Sequence, residues 1–175
     1  HCAAELHDEY SMDKVNVSGT ACILDALSDE HSVNYFCYLS SAGVVGPVST
    51  VRIDEATVCS PGNVYEKTKY AAELMVLQQE LDMNICILRP ANVFDGTSQW
   101  LIGLRLPLSI KSILSLFLKG KEGAHLVHAE DVAAAAMFFI DKPLPNPEIF
   151  FVSYDDDVRN TVLGVYKLCR AFKVG

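Results

Sequence analysis

The feature that most constrains the fold is the alternation of short apolar runs with longer segments of helical character. Residues 33–39 and 84–88 are apolar runs of the kind found in strands buried on both faces of a parallel sheet. Residues 13–28 have apolar side chains at helical spacing, and residues 64–81 are rich in helix-forming residues. This order of strands and helices predicts an α/β fold with a mainly parallel sheet.

The alternation resumes in the second half of the chain, after a long segment that begins at residue 92. The elements predicted there are strands at 124–128 and 148–152 and helices at 130–140 and 158–172. The most apolar stretch, residues 101–118, contains Arg105, Pro107 and Lys111. A membrane span tolerates such charges badly. We therefore expect one or two partly buried helices there, as a lid or an interface, and no membrane partner.

Composition excludes several classes of function. The chain has 175 residues, an apolar fraction of 50% and a net charge of -8 without a cluster of basic residues. It can bury one core, and it is a poor candidate for binding nucleic acid or anionic membranes. Its six cysteines form no C-x-x-C pair. They are typical of small buried side chains in a reducing compartment, which predicts a cytoplasmic protein. No histidine pair has metal-ligand spacing on a predicted helix, and His125 and His128 lie on a predicted strand, so no metal site is predicted.

One pair of residues has the spacing needed for acid–base chemistry. Tyr65 and Lys69 are four residues apart in a predicted helix, so their side chains share one face. A phenol has a pKa near 10, and a neighbouring ammonium group lowers that pKa. The pair can therefore serve as an acid–base device near neutral pH.

The sequence context distinguishes this pair from a second one. Tyr10 and Lys14 have the same spacing, which shows how common the pattern is. Tyr65, however, follows a predicted buried strand that ends in Ser40-Ser41 and is succeeded by a glycine-containing loop. Ligand sites in parallel α/β sheets lie beyond the carboxyl ends of the strands. Ser41, Tyr65 and Lys69 therefore make a plausible three-residue site.

Six ordered motifs resemble those of the extended short-chain dehydrogenases/reductases, in the branch of NAD-dependent epimerases and dehydratases that act on nucleotide sugars. The opening His-Cys-Ala-Ala is similar to the family's H-x-A-A, and Ser40-Ser41 followed by Gly46 is similar to its S-S-x-x-V-Y-G. The remaining matches are N-V-x-G-T at 16–20, Y-x-x-x-K at 65–69, R-P-x-N-V at 89–93 and the V-H-x-x-D-V-A segment at 127–133.

The resemblance implies a Rossmann-like fold with helices on both faces of the sheet and assigns roles to individual residues. Ser41, with Ser40 as the alternative, would hydrogen-bond the reacting oxygen, and Tyr65 would move its proton. Lys69 would bind the nicotinamide ribose and lower the pKa of Tyr65. The cofactor-binding residues implied by the family pattern are Ala3, Ala4, Asn16, Ser40, Tyr65, Lys69, Pro90 and Ala91. The residues implied to contact the substrate are Ser41 and Asn92.

The implied activity is that of an NAD- or NADP-dependent nucleotide-sugar epimerase or dehydratase, with NAD favoured. A ketone reductase of the same family, acting on a steroid- or flavonoid-like substrate, is one alternative. A non-catalytic dinucleotide-sensing scaffold is the other. The family also implies a homodimer formed through the helices around residues 14–28 and 64–82.

The sequence departs from the family pattern in several places. The G-x-x-G-x-x-G loop, which lets a backbone approach a pyrophosphate, is not among these 175 residues. The chain is therefore expected to be a fragment that is inactive alone, with the N-terminal strands of the sheet missing. Residues 1–91 would form the C-terminal half of the dinucleotide-binding domain. Residues 92–175 would combine a small substrate lobe with returning strand and helix elements. Val45 stands where the family has tyrosine, and Asp95 interrupts the last V-Y-G.

Overall fold

The protein divides into two compact units. The computed structural model describes residues 1–30, 32–48, 52–95, 118–145 and 147–171. The first unit comprises His1–Ala91 and Val132–Val152, and the second comprises Asn92–Asp131 and Ser153–Gly175. In chain order the elements are α1 (Glu9–Met12), a π-helical turn (Asp13–Ser18), α2 (Gly19–Ser28), β1 (Tyr35–Leu39), a 3-10 turn (Ala42–Val45), α3 (Val64–Leu77), β2 (Asn84–Pro90), β3 (Asn92–Phe94), β4 (Leu126–His128), α4 (Ala129–Phe138), β5 (Glu148–Val152) and α5 (Val162–Ala171).

The first unit is built on a parallel sheet. Its strand order is β1-β2-β5, and both strand pairs are parallel. The predicted α/β fold with a parallel sheet is therefore confirmed. Because all three strands run the same way, the ends of β1 at Leu39 and of β2 at Pro90 lie at one edge of the sheet. Ligand sites of such sheets form at this edge.

Helices cover both faces of this sheet, as the family resemblance implied. On one face a core joins α2 and α3 to the strands, and its buried members are Leu24, Phe36, Tyr38, Ala72, Val76, Met83, Ile85 and Ile87. On the other face the Tyr35 hydroxyl donates to the Ala136 carbonyl of α4 at 2.6 Å, and the Phe139 ring stacks on Phe150 at 4.3 Å. These contacts hold α3 and α4 on opposite sides of the sheet.

Local signals explain where the helices of the first unit begin. Asn63 and Glu66 form a reciprocal capping box at the start of α3: the Asn63 Oδ1 accepts from the Glu66 amide at 2.9 Å, and the Glu66 Oε2 accepts from the Asn63 amide at 3.3 Å. The first helix begins at Glu9, earlier than predicted, because the Asp8 side chain accepts from the Tyr10 amide. The π-helical turn that follows was not predicted.

The strands differ from the sequence expectation in two respects. β2 runs through Pro90, two residues beyond the apolar run at 84–88 that predicted it. A proline is tolerated at that final position because the next amide, that of Ala91, donates to the Val152 carbonyl. β1 is not buried on both faces, since Phe36 and Tyr38 are buried while Tyr35, Cys37 and Leu39, which point to the other face, are half-buried. β2 is fully buried from Ile85 onward.

The second unit contains a small parallel pair, β3 with β4, of which β3 was not predicted. An asparagine side chain extends this pair. The Leu126 amide donates to the Asn160 Oδ1 at 3.1 Å, and the Asn160 Nδ2 donates to the Leu126 carbonyl at 3.1 Å. The amide group thus imitates the two hydrogen bonds of a neighbouring strand.

Most of the apolar stretch predicted to form a lid or an interface, residues 101–117, lies outside the described residues. Within the described ranges, no helix combines the length and apolar character needed to cross a bilayer. The same part of the chain contains no group of three or more His, Cys, Asp or Glu side chains placed to hold a metal ion.

Replacing Gly46 by alanine is expected to destabilise the fold by about 2 kcal/mol or more. Gly46 has a φ of 68°, and an added Cβ would lie 1.9 Å from the Ser60 carbonyl oxygen. Urea unfolding measures the loss. Gly62→Ala is the matched control, because its Cβ would lie 3.5 Å from a flexible Glu66 oxygen. Equal stability of the two variants would contradict the backbone constraint at Gly46.

Candidate active site

The carboxyl end of β1 presents two serine hydroxyls that point to different partners. Ser41 has an extended backbone and caps the 3-10 turn, with its Oγ accepting from the Gly43 amide at 3.1 Å. The hydroxyl of Ser40, which is 4% exposed, donates to the Glu73 carboxylate at 2.5 Å. Ser41 is therefore the serine whose hydroxyl is turned toward the loop and the start of α3.

Tyr65 lies in the first turn of α3, with its phenol near enough to the Ser41 hydroxyl for that group to act on the phenol pKa. Burial raises the pKa of Tyr65, and the nearby Ser41 hydroxyl opposes that rise. The chain's own residues therefore raise the phenol pKa, whereas the sequence predicted a lowered one. The physical reason is that loss of solvent is the dominant influence on this half-buried ring.

Lys69 lies one helical turn beyond Tyr65 and is 2% exposed. Its Nζ donates to the Leu39 carbonyl at 2.5 Å and lies 4.4 Å from the centre of the Tyr38 ring. Burial lowers the pKa of Lys69 to about 8, and the charge of Glu73 opposes that change. An ammonium group has three donors, and within the described part of the chain only one is engaged. The other two can bind the hydroxyls of a ligand.

The second tyrosine–lysine pair has a different environment. Tyr10 is 98% exposed, and Lys14 is exposed as well. Neither side chain lies beside a strand-end serine such as Ser41, and neither is buried as Tyr65 and Lys69 are. Sequence spacing alone could not separate the two pairs, but the strand that precedes Tyr65 did.

Asn16 links the N-terminal segment to α3. It lies in the π-helical turn and is 1% exposed. Its Oδ1 accepts from the Glu5 amide at 2.7 Å, and its Nδ2 donates to the Glu5 carbonyl and to the Thr68 hydroxyl. The backbone that follows Ala3 and Ala4 is thereby held beside the helix that carries Tyr65 and Lys69.

Sequence reasoning missed a buried ion pair behind these residues. Arg89 Nη2 donates to Glu73 Oε1 at 2.6 Å, and Arg89 Nε donates to Glu73 Oε2 at 3.1 Å. Glu73 is fully buried and Arg89 is 3% exposed. Removing one partner of such a pair costs about 3–5 kcal/mol. A usable signal existed, since Glu73 follows Lys69 by four residues and therefore lies on the same helical face.

The remaining predicted site residues are at the end of β2 and in the second unit. Pro90 ends β2, and Ala91 continues its pairing with Val152. Asn92 belongs to the second unit, where its side-chain Nδ2 donates to the Ala124 carbonyl at 3.2 Å. That contact gives Asn92 a role in holding β3 beside β4. In the same unit His125 pairs with Asp155 and has a positive φ of 49°.

The buried ammonium of Lys69 predicts a pH dependence of stability that Lys69→Met removes. The folded pKa of about 8 lies below the unfolded value of 10.5. Between these values the unfolded chain holds a proton that the folded chain has lost, so the free energy of unfolding rises with pH. Between pH 8 and 10.5 the wild type should gain up to about 3 kcal/mol relative to Lys69→Met.

Denaturant unfolding at a series of pH values measures this difference. Lys67→Met is the control, because Lys67 is exposed on the same helix and its removal should leave the pH dependence unchanged. Parallel pH profiles for the wild type and Lys69→Met would show that Lys69 is not desolvated.

Several solved structures have the same fold. An ADP-L-glycero-D-manno-heptose-6-epimerase from Helicobacter pylori has a TM-score of 0.72 at 20% identity, with 98% of this chain covering 56% of that one. The Bordetella bronchiseptica enzyme WbmG, in complex with NAD, has a TM-score of 0.71 at 19% identity, with 99% covering 55%. A short-chain dehydrogenase/reductase superfamily protein from Agrobacterium tumefaciens with bound NAD has a TM-score of 0.68 at 22% identity, with 86% covering 57%.

At these identities the likeness establishes the fold, and the chain spans a little over half the length of those proteins. No curated protein matches the chain in sequence. The sequence profile of the 3-beta hydroxysteroid dehydrogenase/isomerase family, however, matches residues 1–162. The match confirms the resemblance to the extended short-chain dehydrogenases/reductases. The chain belongs to the 3-beta hydroxysteroid dehydrogenase/isomerase family.

Proposed function

We propose that Ser41, Tyr65 and Lys69 are the catalytic set of an NAD-dependent enzyme that epimerises or dehydrates nucleotide sugars. The observation that carries this proposal is that Ser41, at the carboxyl end of β1, faces the start of α3, where Tyr65 lies, with the buried ammonium of Lys69 one turn along the same helix and bound to the Leu39 carbonyl. The three groups lie at the carboxyl edge of a parallel sheet, where ligand sites of this fold form.

The three side chains have distinct roles in this proposal. The Tyr65 phenol exchanges a proton with a hydroxyl of the sugar, and the Ser41 hydroxyl binds the same oxygen and orients it. Ser41 is chosen over Ser40 because the Ser40 hydroxyl is already bound to Glu73. Lys69 offers its two remaining N–H donors to ribose hydroxyls.

NAD, when bound, supplies a hydride acceptor and a positive charge that favours the phenolate form of Tyr65. The residues proposed to hold it near the sheet edge are Ala3, Ala4, Asn16, Ser40, Tyr65, Lys69, Pro90 and Ala91. The bound NAD of the WbmG and Agrobacterium structures supports NAD as the dinucleotide. Contacts with the pyrophosphate require a glycine-rich loop that these residues do not include, so activity is proposed for the full-length product of the gene.

Different observations support two substrate classes. Nucleotide sugars are supported by the heptose epimerase, by MoeE5 in complex with UDP-glucose and NAD, and by WbmG in complex with NAD and UDP. A steroid-like alcohol or ketone is the second candidate, and the description of the family favours it. Both substrate classes can present a ring carbon bearing an oxygen that Tyr65 can protonate or deprotonate. Asn92 is proposed as a contact for the sugar.

Replacing Tyr65 by phenylalanine is expected to lower turnover by about 10²–10⁴-fold, because the proton carrier is lost while the ring remains. The measurement is the turnover of the full-length protein with NAD or NADP and panels of nucleotide sugars and hydroxysteroids. Tyr10→Phe is the matched control, since Tyr10 has the same spacing to a lysine but is 98% exposed.

The outcomes separate the alternatives. Turnover of a nucleotide sugar supports the epimerase or dehydratase, and turnover of a hydroxysteroid supports the second candidate. Full activity of Tyr65→Phe would exclude the acid–base role of the phenol. Dinucleotide binding without turnover of any substrate would favour the non-catalytic scaffold.

We also propose a homodimer through α2 and α3, and a cytoplasmic location. Two partly exposed apolar residues lie within the proposed interface ranges: Val15 in the π-helical turn that precedes α2, and Leu74 in α3. Analytical ultracentrifugation should find a dimer for the wild type and a monomer for Leu74→Asp, because the aspartate would be desolvated in the interface. Val58→Asp, at a site that is 84% exposed outside both helices, is the control. A monomeric wild type at high concentration would contradict the dimer.

A further inference from the structure

The helix that carries Tyr65 and Lys69 has a third polar residue on the same face. Tyr65, Lys69 and Glu73 follow one another at four-residue steps in α3, so they form one stripe along the helix. Glu73 is completely buried. A carboxylate in this position costs free energy unless its hydrogen bonds are made, so its partners indicate what it does.

Glu73 joins three elements at the edge where the candidate active site lies. Its carboxylate accepts the hydroxyl of Ser40 at the end of β1 and the fork of Arg89 at the end of β2. The Ser40 amide donates to the Leu88 carbonyl at 2.8 Å, which ties the same residue to β2. One side chain therefore fixes the residue that directly precedes Ser41.

Burying this ion pair carries a desolvation penalty that an apolar core would not carry. Arg89 Nη2 also donates to the Cys59 sulfur at 3.2 Å, but Arg89 Nη1 is buried and has no hydrogen-bond partner among the described residues. Well-packed apolar side chains at such positions are often as stabilising as a buried ion pair. Stability alone therefore does not explain the position of Glu73, whereas its contact with Ser40 at the edge of the candidate site does.

We propose that Glu73 is a positioning residue for the reaction, which anchors Ser40 so that Ser41 meets Tyr65 and which keeps Lys69 charged. The inference rests on the proposed function. It extends the site from three residues to the pair of Glu73 and Arg89, which contacts neither substrate nor cofactor and acts on the site through Ser40.

The charges around Lys69 support the electrostatic part. Among the described residues, the titratable groups near it are the Tyr38 phenol from β1, Glu73 from α3 and Cys2 from the N-terminal segment, and Tyr65 lies one turn before it on α3. Glu73 is the carboxylate among them. Its negative charge raises the pKa of Lys69 and so opposes the effect of burial.

The test compares three variants of the full-length protein. Glu73→Gln combined with Arg89→Met removes both charges, so that no unpaired ion is left in the core. Ser40→Ala removes only the hydroxyl that the carboxylate accepts. Glu80→Gln is the control, because it removes one negative charge from the exposed segment just beyond α3.

Two measurements are made on each variant. The first is a pH titration of Lys69 by NMR of lysine labelled with ¹³C at Cε, with the signal assigned from Lys69→Arg. The second is kcat and KM for the substrate that the panel identifies. Circular dichroism establishes that each variant is folded.

The double variant is expected to lower the pKa of Lys69 by about one unit and kcat by about tenfold or more, with KM within about twofold. Ser40→Ala should lower kcat while leaving the titration of Lys69 unchanged. If the double variant does not fold, Glu73→Asp takes its place, and partial retention of kcat is expected because the charge is kept at a longer reach.

A titration of Lys69, or a kcat, that stays at the level of Glu80→Gln in the folded double variant overturns the proposal. A Glu73→Asp variant with the kcat of the wild type also overturns it, as does a Ser40→Ala variant with unchanged kcat. A full-length wild type without turnover removes the proposed function instead. In that case the titration alone still decides whether Glu73 controls the charge of Lys69.

Discussion

The packing of α3 across the carboxyl ends of β1 and β2 is the contact on which the rest of the first unit depends. Ala72 and Val76 of α3 enter the core beside Tyr38 and Ile87, and the ion pair of Glu73 with Arg89 continues the same interface toward the sheet edge. The apolar part of this interface supplies the free energy of association. The polar part fixes the rotation of the helix, and so determines where Tyr65 and Lys69 lie.

The residues on α3 show how burial changes the chemistry of ordinary side chains. Lys69 has lost most of its water, and the Leu39 carbonyl and the Tyr38 ring replace only part of that hydration. Burial lowers the pKa of Lys69 but raises the pKa of Tyr65, so the neutral form of the phenol is favoured. The chain by itself therefore stabilises an uncharged phenol beside a readily deprotonated amine, and the balance is open to change by any charge that binds nearby.

Much of this could be predicted from the sequence because the signals were local or periodic. The apolar runs predicted β1, β2 and β5, and the strand at Glu148–Val152 has the predicted bounds. The neighbourhood of Ser41 and Tyr65 followed from the rule that sites lie at the carboxyl ends of parallel strands. What could not be predicted depends on tertiary contacts. From the sequence Arg89 could be placed only in the R-P-x-N-V motif, and its partner on α3 became visible once the helix was placed on the sheet.

The π-helical turn at Asp13–Ser18 has a consequence for how this chain is compared with others. A π turn contains one residue more than the α-helical hydrogen-bond ladder requires, so the helical faces before and after it are out of phase by about 100°. A single helical wheel drawn through Glu9–Ser28 would therefore place α1 and α2 on inconsistent faces. An alignment without a gap to a relative whose helix is regular would match Asn16 to a residue that points elsewhere. Counting hydrogen bonds, rather than residues, is the reliable way to find its equivalent.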